Sequence, residues 1–399
     1  MGSYSGLKLG PLIITESKNE YISSHSELFL AEDLVVSPLY GQTEPEEHYE
    51  RPLRLVVNRL ELMGFTIARA REEYTRPNPY LFDEPIPLSF DQVMDVLRMV
   101  TVANIRNEYP ECPKDGEIVP MDIQRIIRDV RPPGKFSAGH WDLLTLLENF
   151  TPESMLRVLA ENPSNLDLPV IWFFDDVVKG GWTERENIQH GISEFSEYLL
   201  VTEGSSDAKI LRRALDILRP DISDFFRFVD MAEGYPFTGT GNLVNFAKGL
   251  VSIRIQNNVV FVFDNDAEGI ACMKKCKMLS LPRNMKMMKL PNIEEFERFR
   301  TVGPQGELIT NINGRGASIE CYLDLPPDAI LQWSIYNEKL QFYQGALRGK
   351  DRYKRDFLAI NGFQEDYDYG KLHCVIDEII AVCTEAVPIA QTHEQKHSY

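Results

Sequence analysis

The sequence predicts an α/β core on a mostly parallel sheet, with an α+β domain before it and a helical segment after it. Two short apolar runs carry this prediction. Residues 198–202 (YLLVT) and 259–263 (VVFVF) are bounded by turn chemistry, and each is followed by a helical stretch, at 208–218 and 267–279. That alternation is the signature of βαβ units. Both runs also end in acids: Glu203, Gly204 and Asp207 follow the first, and Asp264, Asn265 and Asp266 the second. Sites in open α/β sheets gather at the carboxyl ends of strands, so one shared acidic cluster is expected. Crowded carboxylates raise one another's pKa unless a cation sits among them. Hard oxygen ligands of this kind suit Mg2+ or Mn2+.

At 399 residues and 43% hydrophobic content, the chain is long enough for two or three packed domains. No apolar run is long enough to span a bilayer and no signal-peptide pattern opens the chain, so a cytoplasmic protein with no membrane partner is expected. A net charge of -18 argues against a general nucleic-acid coat protein. It leaves room for a local basic grip. Residues 348–355 (RGKDRYKR) supply Arg348, Lys350, Arg352, Lys354 and Arg355 around Tyr353, either a contact for a phosphate backbone or a solvated helix face. The six cysteines (Cys112, Cys272, Cys276, Cys321, Cys374, Cys383) have no paired zinc-ligand spacing. Cys272 and Cys276, one helical turn apart, fit a reduced core face.

The N-terminal elements follow in order. Residues 4–15 and 27–36 alternate as strands do, with Gly10-Pro11 as a break. Leu53, Val56, Val57, Leu60 and Met63 have helical spacing within 53–71. A Pro-rich loop covers 76–87, and a helix is expected over 90–108 with Ser89 and Asp91 as cap chemistry. Two short helices follow, at 141–150 and 152–161, the second capped by Thr151. The pair Asp175-Asp176 imitates the later acidic strand, but adjacent strand residues face opposite ways, so a structural role is expected. Arg185 and His190 are spaced as in the ribonuclease motif of HEPN domains, a spacing chance also produces, and no catalytic role is assigned to them.

In the core, Gly204 lets the chain turn sharply after Glu203. Ser205 or Ser206 is expected to cap the next helix, with Asp207 in its first turn. A strand at 225–229 precedes a Gly-rich passage, 239–242, and a helix at 243–251 whose amides could receive a phosphate; a plain turn serves equally. Asp264 and Asp266 share a face by the two-residue strand period, and Asn265 points away. A further strand at 284–290 ends near Lys289, and GRGASIECYL sets Glu320 after a Gly-rich turn. Helices are expected at 329–347 and 371–386, the latter with an apolar face for packing on the sheet, as favoured, or for a dimer. His393 and His397, in the polar tail, are not assigned a metal role.

EGSSD at 203–207, a Gly-rich turn and DND at 264–266 together resemble the Toprim domain, the catalytic module of topoisomerases, bacterial primases, small RNA-maturing nucleases and OLD-type nucleases. The likeness implies a Rossmann-like Toprim fold over 195–325, between an N-terminal α+β domain (1–194) and a helical extension (326–399). MGSYSGLKLG and FYQGALRGKDRYKRDFL look like bacterial proteins that carry a HEPN/Toprim-associated N-terminal domain, a group linked to anti-phage defence. Carried over residue by residue, the resemblance implies metal ligation by Glu203, Asp207, Asp264, Asp266 and Glu320, with Glu203 doubling as general acid/base. Lys289 would steady the charged transition state, with Lys286 as its competitor. Glu268, directly after DND, is either a group supporting the metal ligands from behind or, as favoured, charge compensation at a helix N-terminus.

The function implied is a nuclease with two Mg2+ or Mn2+ ions, cleaving phosphodiester bonds in DNA or RNA as a defence effector. Its partners would be the nucleic acid and a protein of a defence complex or a second copy of the chain. A topoisomerase would need a tyrosine-bearing strand-passage domain and a primase a zinc module, and neither pattern is present. The alternative from another class is a non-enzymatic sensor or docking subunit whose acidic cluster is structural.

Overall fold

The computed structural model describes residues 2–39, 43–76, 89–104, 147, 149–188, 191–229, 240–337 and 342–385. The chain divides into two units, Met1–Ile192 and Ser193–Tyr399.

The first unit sets β1 (Tyr4–Leu9), β2 (Leu12–Lys18), β3 (Leu34–Pro38) and β4 (Pro45–Pro52) before helices α1 (Leu53–Leu62), α2 (Ile67–Thr75), α3 (Phe90–Leu97) and α4 (Pro152–Leu159). Strand β5 (Pro169–Phe173) then enters the sheet, and the short helix α5 (Asp175–Lys179) follows it. The sheet order is β2-β1-β5-β4-β3, antiparallel throughout. Its core centres on the fully buried Trp172, whose ring stacks with those of Tyr21, Phe29 and Tyr49 and tilts against Phe174. Aromatic pairs at these separations add to the burial of their area.

Local chemistry explains where this unit departs from the periodicity. The helix expected over 53–71 is two helices, broken at Gly64 (φ +83°) and restarted by Thr66, whose hydroxyl accepts from Arg69 N at 3.3 Å. The stretch 27–36 is strand only from Leu34; Ser23–Leu28 and Ala31–Asp33 are 3-10 turns. Buried Arg59 donates to the carbonyls of Glu27 (2.8 Å) and Phe29 (3.5 Å), and Asp33 accepts from Leu30 N at 2.7 Å. These backbone groups are thus satisfied without a strand neighbour. The helix expected to reach 108 stops at Leu97, because Asn165 accepts from Val102 N (2.9 Å) and donates to Val100 O (2.9 Å). Asp175 and Asp176 open α5 instead of lying on a strand. Asp176 accepts from Tyr4 N at 2.7 Å, and Asp175 pairs with Lys179 at 2.7 Å. Most of the Pro-rich loop and of the 141–150 helix, together with Cys112 and His190, lies outside the described residues.

The second unit opens with β6 (Tyr198–Thr202), α6 (Ser205–Leu218), β7 (Phe226–Val229), α7 (Thr240–Ser252) and β8 (Asn258–Phe263). Next come β9 (Asn265–Asp266), α8 (Ala267–Lys277) and β10 (Met285–Lys289). Strands run in the order β10-β8-β6-β7, all parallel. Val201, Phe261 and Phe263 form one buried cluster with Leu243, Ala247, Cys272 and Cys276, so that cysteine pair is core. From β6 the chain goes to one side for β7 and to the other for β8. The β6/β8 boundary is therefore a topological switch point, the place where a crevice opens beyond the strand ends.

Beyond it lie β11 (Phe299–Gly303), β12 (Gly306–Thr310), β13 (Gly316–Ala317), β14 (Leu331–Asn337) and β15 (Phe342–Leu347), followed by α9 (Lys350–Leu358) and α10 (Gly370–Thr384). The expected helix over 329–347 is a β-hairpin instead, β14 against β15, within a sheet ordered β12-β11-β14-β15. The C-terminal segment is therefore a hairpin followed by helices. Trp333, Tyr336, Phe342 and Tyr343 favour a pleated surface. Gly345 fits the hairpin, where a Cβ would come within 2.5 Å of Leu331 Cδ2. Helix α10 packs on α6 and β10. Tyr198 Oη donates to Cys383 O at 3.2 Å, and Lys286 Nζ donates to the carbonyls of Val382 (2.7 Å), Cys383 (3.3 Å) and Glu385 (2.9 Å). A cation on terminal carbonyls satisfies the free end of a helix. Replacing Lys286→Met should lower unfolding stability by about 1–2 kcal/mol, read as a shifted urea midpoint. An unchanged midpoint would show that α10 does not depend on this clamp.

Candidate functional site

Two helix starts and two strand ends bring the acids together. Glu203 leaves β6, and its Oε1 accepts from Asp264 N at the end of β8, 3.1 Å away. Helix α6 is capped at Gly204, not by Ser205 or Ser206: Asp207 reaches back to accept from Gly204 N at 2.9 Å, and Thr202 Oγ1 donates to Gly204 O at 2.8 Å. Asp266 is the N-cap of α8, and its Oδ1 accepts from Gly269 N at 2.7 Å. Glu320 lies in the 3-10 turn Ile319–Tyr322, only 4% exposed, and accepts from Ser318 Oγ at 2.7 Å.

The electrostatics follow from this crowding. Burial, then the charge of Asp266, raises Glu203 to about 8. Burial, then Glu320, raises Asp207 to about 7. Burial pushes Asp264 well above the usual carboxylate range, with Asp207, Glu203, Asp266 and Glu320 adding to the effect. Asp266 is raised by burial, against the hydrogen bond from Gly269, and Glu268 raises it further. Glu268 also bears on Glu203 and accepts from Gln344 Nε2 at 3.1 Å. All five sequence-predicted acids thus belong to one electrostatically coupled group, with Glu268 as a sixth member.

Gly269 makes the convergence sterically feasible. A Cβ there would lie 2.4 Å from Asp264 O and 2.8 Å from Glu203 Oε1, so the start of α8 approaches the β8 end only with glycine at this position. Its role is visible in the structure but not in the sequence, where it is one more small residue on a helix.

Asn265, fully buried between the two aspartates, faces the other way. Its Nδ2 reaches Pro291 O, Asn292 Oδ1, Asn313 Oδ1 and Tyr322 Oη at 3.1–3.3 Å. Its Oδ1 accepts from Gly314 N (3.0 Å) and Lys289 Nζ (3.1 Å). Lys289 also donates to Asn292 Oδ1 (2.8 Å) and Leu290 O (3.2 Å), so its ammonium holds the Asn265 side chain on the side away from the two aspartates. Its competitor Lys286 is held by the end of α10.

The basic segment lies on α9, which packs against α6. Lys354 Nζ donates to Ser206 Oγ at 3.2 Å, and the charge of Lys350 lowers Asp207. Arg352 and Arg355 are exposed beside Asp356, while Arg348 donates to Gln332 Oε1. Of the two alternatives for these cations, a phosphate contact or a solvated helix face, Arg352 and Arg355 have the exposure of the second, while Lys350 and Lys354 lie beside the start of α6 near the acidic group.

The donor set, all carboxylate oxygens with burial opposing their charge, has the chemistry of a hard divalent cation site. As the side chains are placed, no group of three or more His, Cys, Asp or Glu among the described residues could hold a metal ion.

Comparison with known proteins bears on the other unit. Residues 1–196 match the family model of HEPN/Toprim N-terminal domain 1. No curated protein and no solved structure matches the chain. No helix among the described residues is long and apolar enough to cross a membrane.

Raised carboxylate pKa values carry a sign. Between about pH 4.5 and 8, the folded chain holds the Glu203 proton that the unfolded chain releases, so the metal-free protein loses stability as pH rises through this window. Its Tm in EDTA should fall from pH 5 to pH 8, and Asp264→Asn should flatten that slope; parallel slopes would contradict the coupling. Gly269→Ala should cost about 1–3 kcal/mol of stability through overpacking, measured by chemical denaturation, and a wild-type value would mean that α8 can retreat.

Proposed function

We propose that the second unit is a divalent-metal-dependent nuclease that hydrolyses phosphodiester bonds in nucleic acid, and that the chain acts as the effector of a bacterial anti-phage system. The observation that carries this reading is the coupling of Glu203, Asp207, Asp264, Asp266 and Glu320 at the switch point of a parallel sheet. Carboxylates held against their own repulsion at a strand-end crevice are a strong sign of a functional site. The HEPN/Toprim N-terminal domain match supports a nuclease-associated role.

The five acids would hold two Mg2+ or Mn2+ ions, which when bound supply an activated water and neutralise charge at the scissile phosphate. The rest falls to the chain. Glu203, beside the end of β8 through its bond from Asp264 N, would serve as a metal ligand, or as the general acid/base at the leaving oxygen where it is not itself bound to an ion. Lys350 and Lys354, beside α6, bring positive charge to a phosphate backbone that the acids alone would repel. Lys289 acts through Asn265, fixing the direction of the neighbouring aspartates.

The test is purified protein with Mg2+ or Mn2+ and either plasmid DNA or total RNA. Glu203→Gln and Asp264→Asn should each lower cleavage by about 10²–10³-fold with circular dichroism unchanged. Full activity in either variant would remove the reading. A second reading, a docking subunit without catalysis, draws on the absence of any three-acid group placed to hold an ion among the described residues; it requires that no cleavage occur with either metal.

A further inference from the structure

The sheet that follows the acidic unit carries a pocket that the mechanism does not use. It has a volume of roughly 250 Å³ and is lined by Thr301, Gly303, Leu308, Arg315, Trp333 and Tyr343, among others. Pairing of Thr301 with Leu308 and of Trp333 with Gly345 puts the strand residues of this set on one face of the β12-β11-β14-β15 sheet. Three glycines seat the indole: a Cβ at Gly303 would meet Trp333 Cδ1 at 3.2 Å, and one at Gly316 or Gly345 would meet Cζ3 at 3.3 or 3.0 Å. Backbone on that side leaves Trp333 half-buried with a fixed orientation. Tyr343 is 41% exposed, and Arg315 is exposed at the rim.

The pocket is tied to the acids by the backbone. Arg315 bridges Asp266 directly, and Gly316 pairs with Asp266 in the β9–β13 ladder. Neighbouring strands lie about 4.8 Å apart, so the backbone of Arg315, whose side chain lines the pocket, lies one strand spacing from that of a proposed metal ligand.

We propose that this pocket binds one unpaired nucleobase of the substrate, next to the phosphate presented to the acidic group, so that the nuclease acts on single-stranded or flipped-out positions. The inference rests on the nuclease reading for its ligand. Aromatic side chains stack on bases whatever their identity, and Arg adds a cation for the face or the adjoining phosphate. A base stacked inside a duplex cannot reach such a pocket; one taken out of the stack can. The volume is below the roughly 300–1,000 Å³ of sites that engulf a drug-sized ligand, in keeping with a single base.

The experiment uses the full chain and oligonucleotides carrying 2-aminopurine, as single-stranded DNA, single-stranded RNA and duplex DNA. Single strands should quench the fluorescent base on binding and be cleaved in Mn2+, whereas the fully paired duplex should do neither. Trp333→Ala and Tyr343→Ala should each raise KM about tenfold and abolish quenching, with kcat far less affected; Trp333→Phe should retain both. The Tyr343 variant alters an exposed ring and keeps the test decisive if Trp333→Ala fails to fold. Cleavage with unchanged KM and quenching in the two alanine variants would overturn the pocket while leaving the nuclease intact. Trp333-dependent quenching without any cleavage would keep the pocket and remove the nuclease.

Discussion

Desolvated like charge at one sheet edge is the constraint on which the second unit depends. Glu203 and Asp264 leave adjacent parallel strands at the point where the strand order reverses, and a hydrogen bond from Asp264 N to Glu203 Oε1 ties those ends together. Asp207 and Asp266 each also serve a helix start, accepting from Gly204 N and Gly269 N, and both bear on the buried Asp264 between them. Amides and helix N-termini offset part of the repulsion. The remainder persists as raised pKa values, and a cation would relieve it.

Much of this unit was legible because its signals are local. Short apolar runs with acids at their ends named β6 and β8, and Asp264, Asn265 and Asp266 alternate faces as the strand period requires. The hairpin at 331–347 was not legible. Its residues also satisfy a helical spacing, and the decision rests on tertiary contact: Gly345 accommodates Leu331, and Trp333 finds its glycine floor. Cap identity was missed for a related reason. Ser205 and Ser206 are the better intrinsic caps, but Asp207 reaches Gly204 N, and Lys354, 148 residues away, takes Ser206.

The basic segment shows what composition alone conceals. A chain of net charge -18 keeps positive charge where it can be used, with Lys350 and Lys354 on a helix packed beside α6. In the first unit, Asp175 and Asp176 show the converse. Paired acids at the end of a strand become helix-start and backbone acceptors when Tyr4 N and Lys179 lie within reach, so an acidic dipeptide by itself carries no chemistry.

Asn265 has a consequence for chemical ageing. The two hydrogens of its amide nitrogen are shared among oxygens of Pro291, Asn292, Asn313 and Tyr322. Loss of ammonia from this side chain would replace the donor by a second acceptor, set against the acceptor oxygens of Pro291, Asn292 and Asn313, with the Tyr322 hydroxyl left as a donor on that side. A single spontaneous deamidation would therefore loosen the spacing of Asp264 and Asp266 without touching either carboxylate, and the shielding of Asn265 from water protects the molecule against that slow form of inactivation.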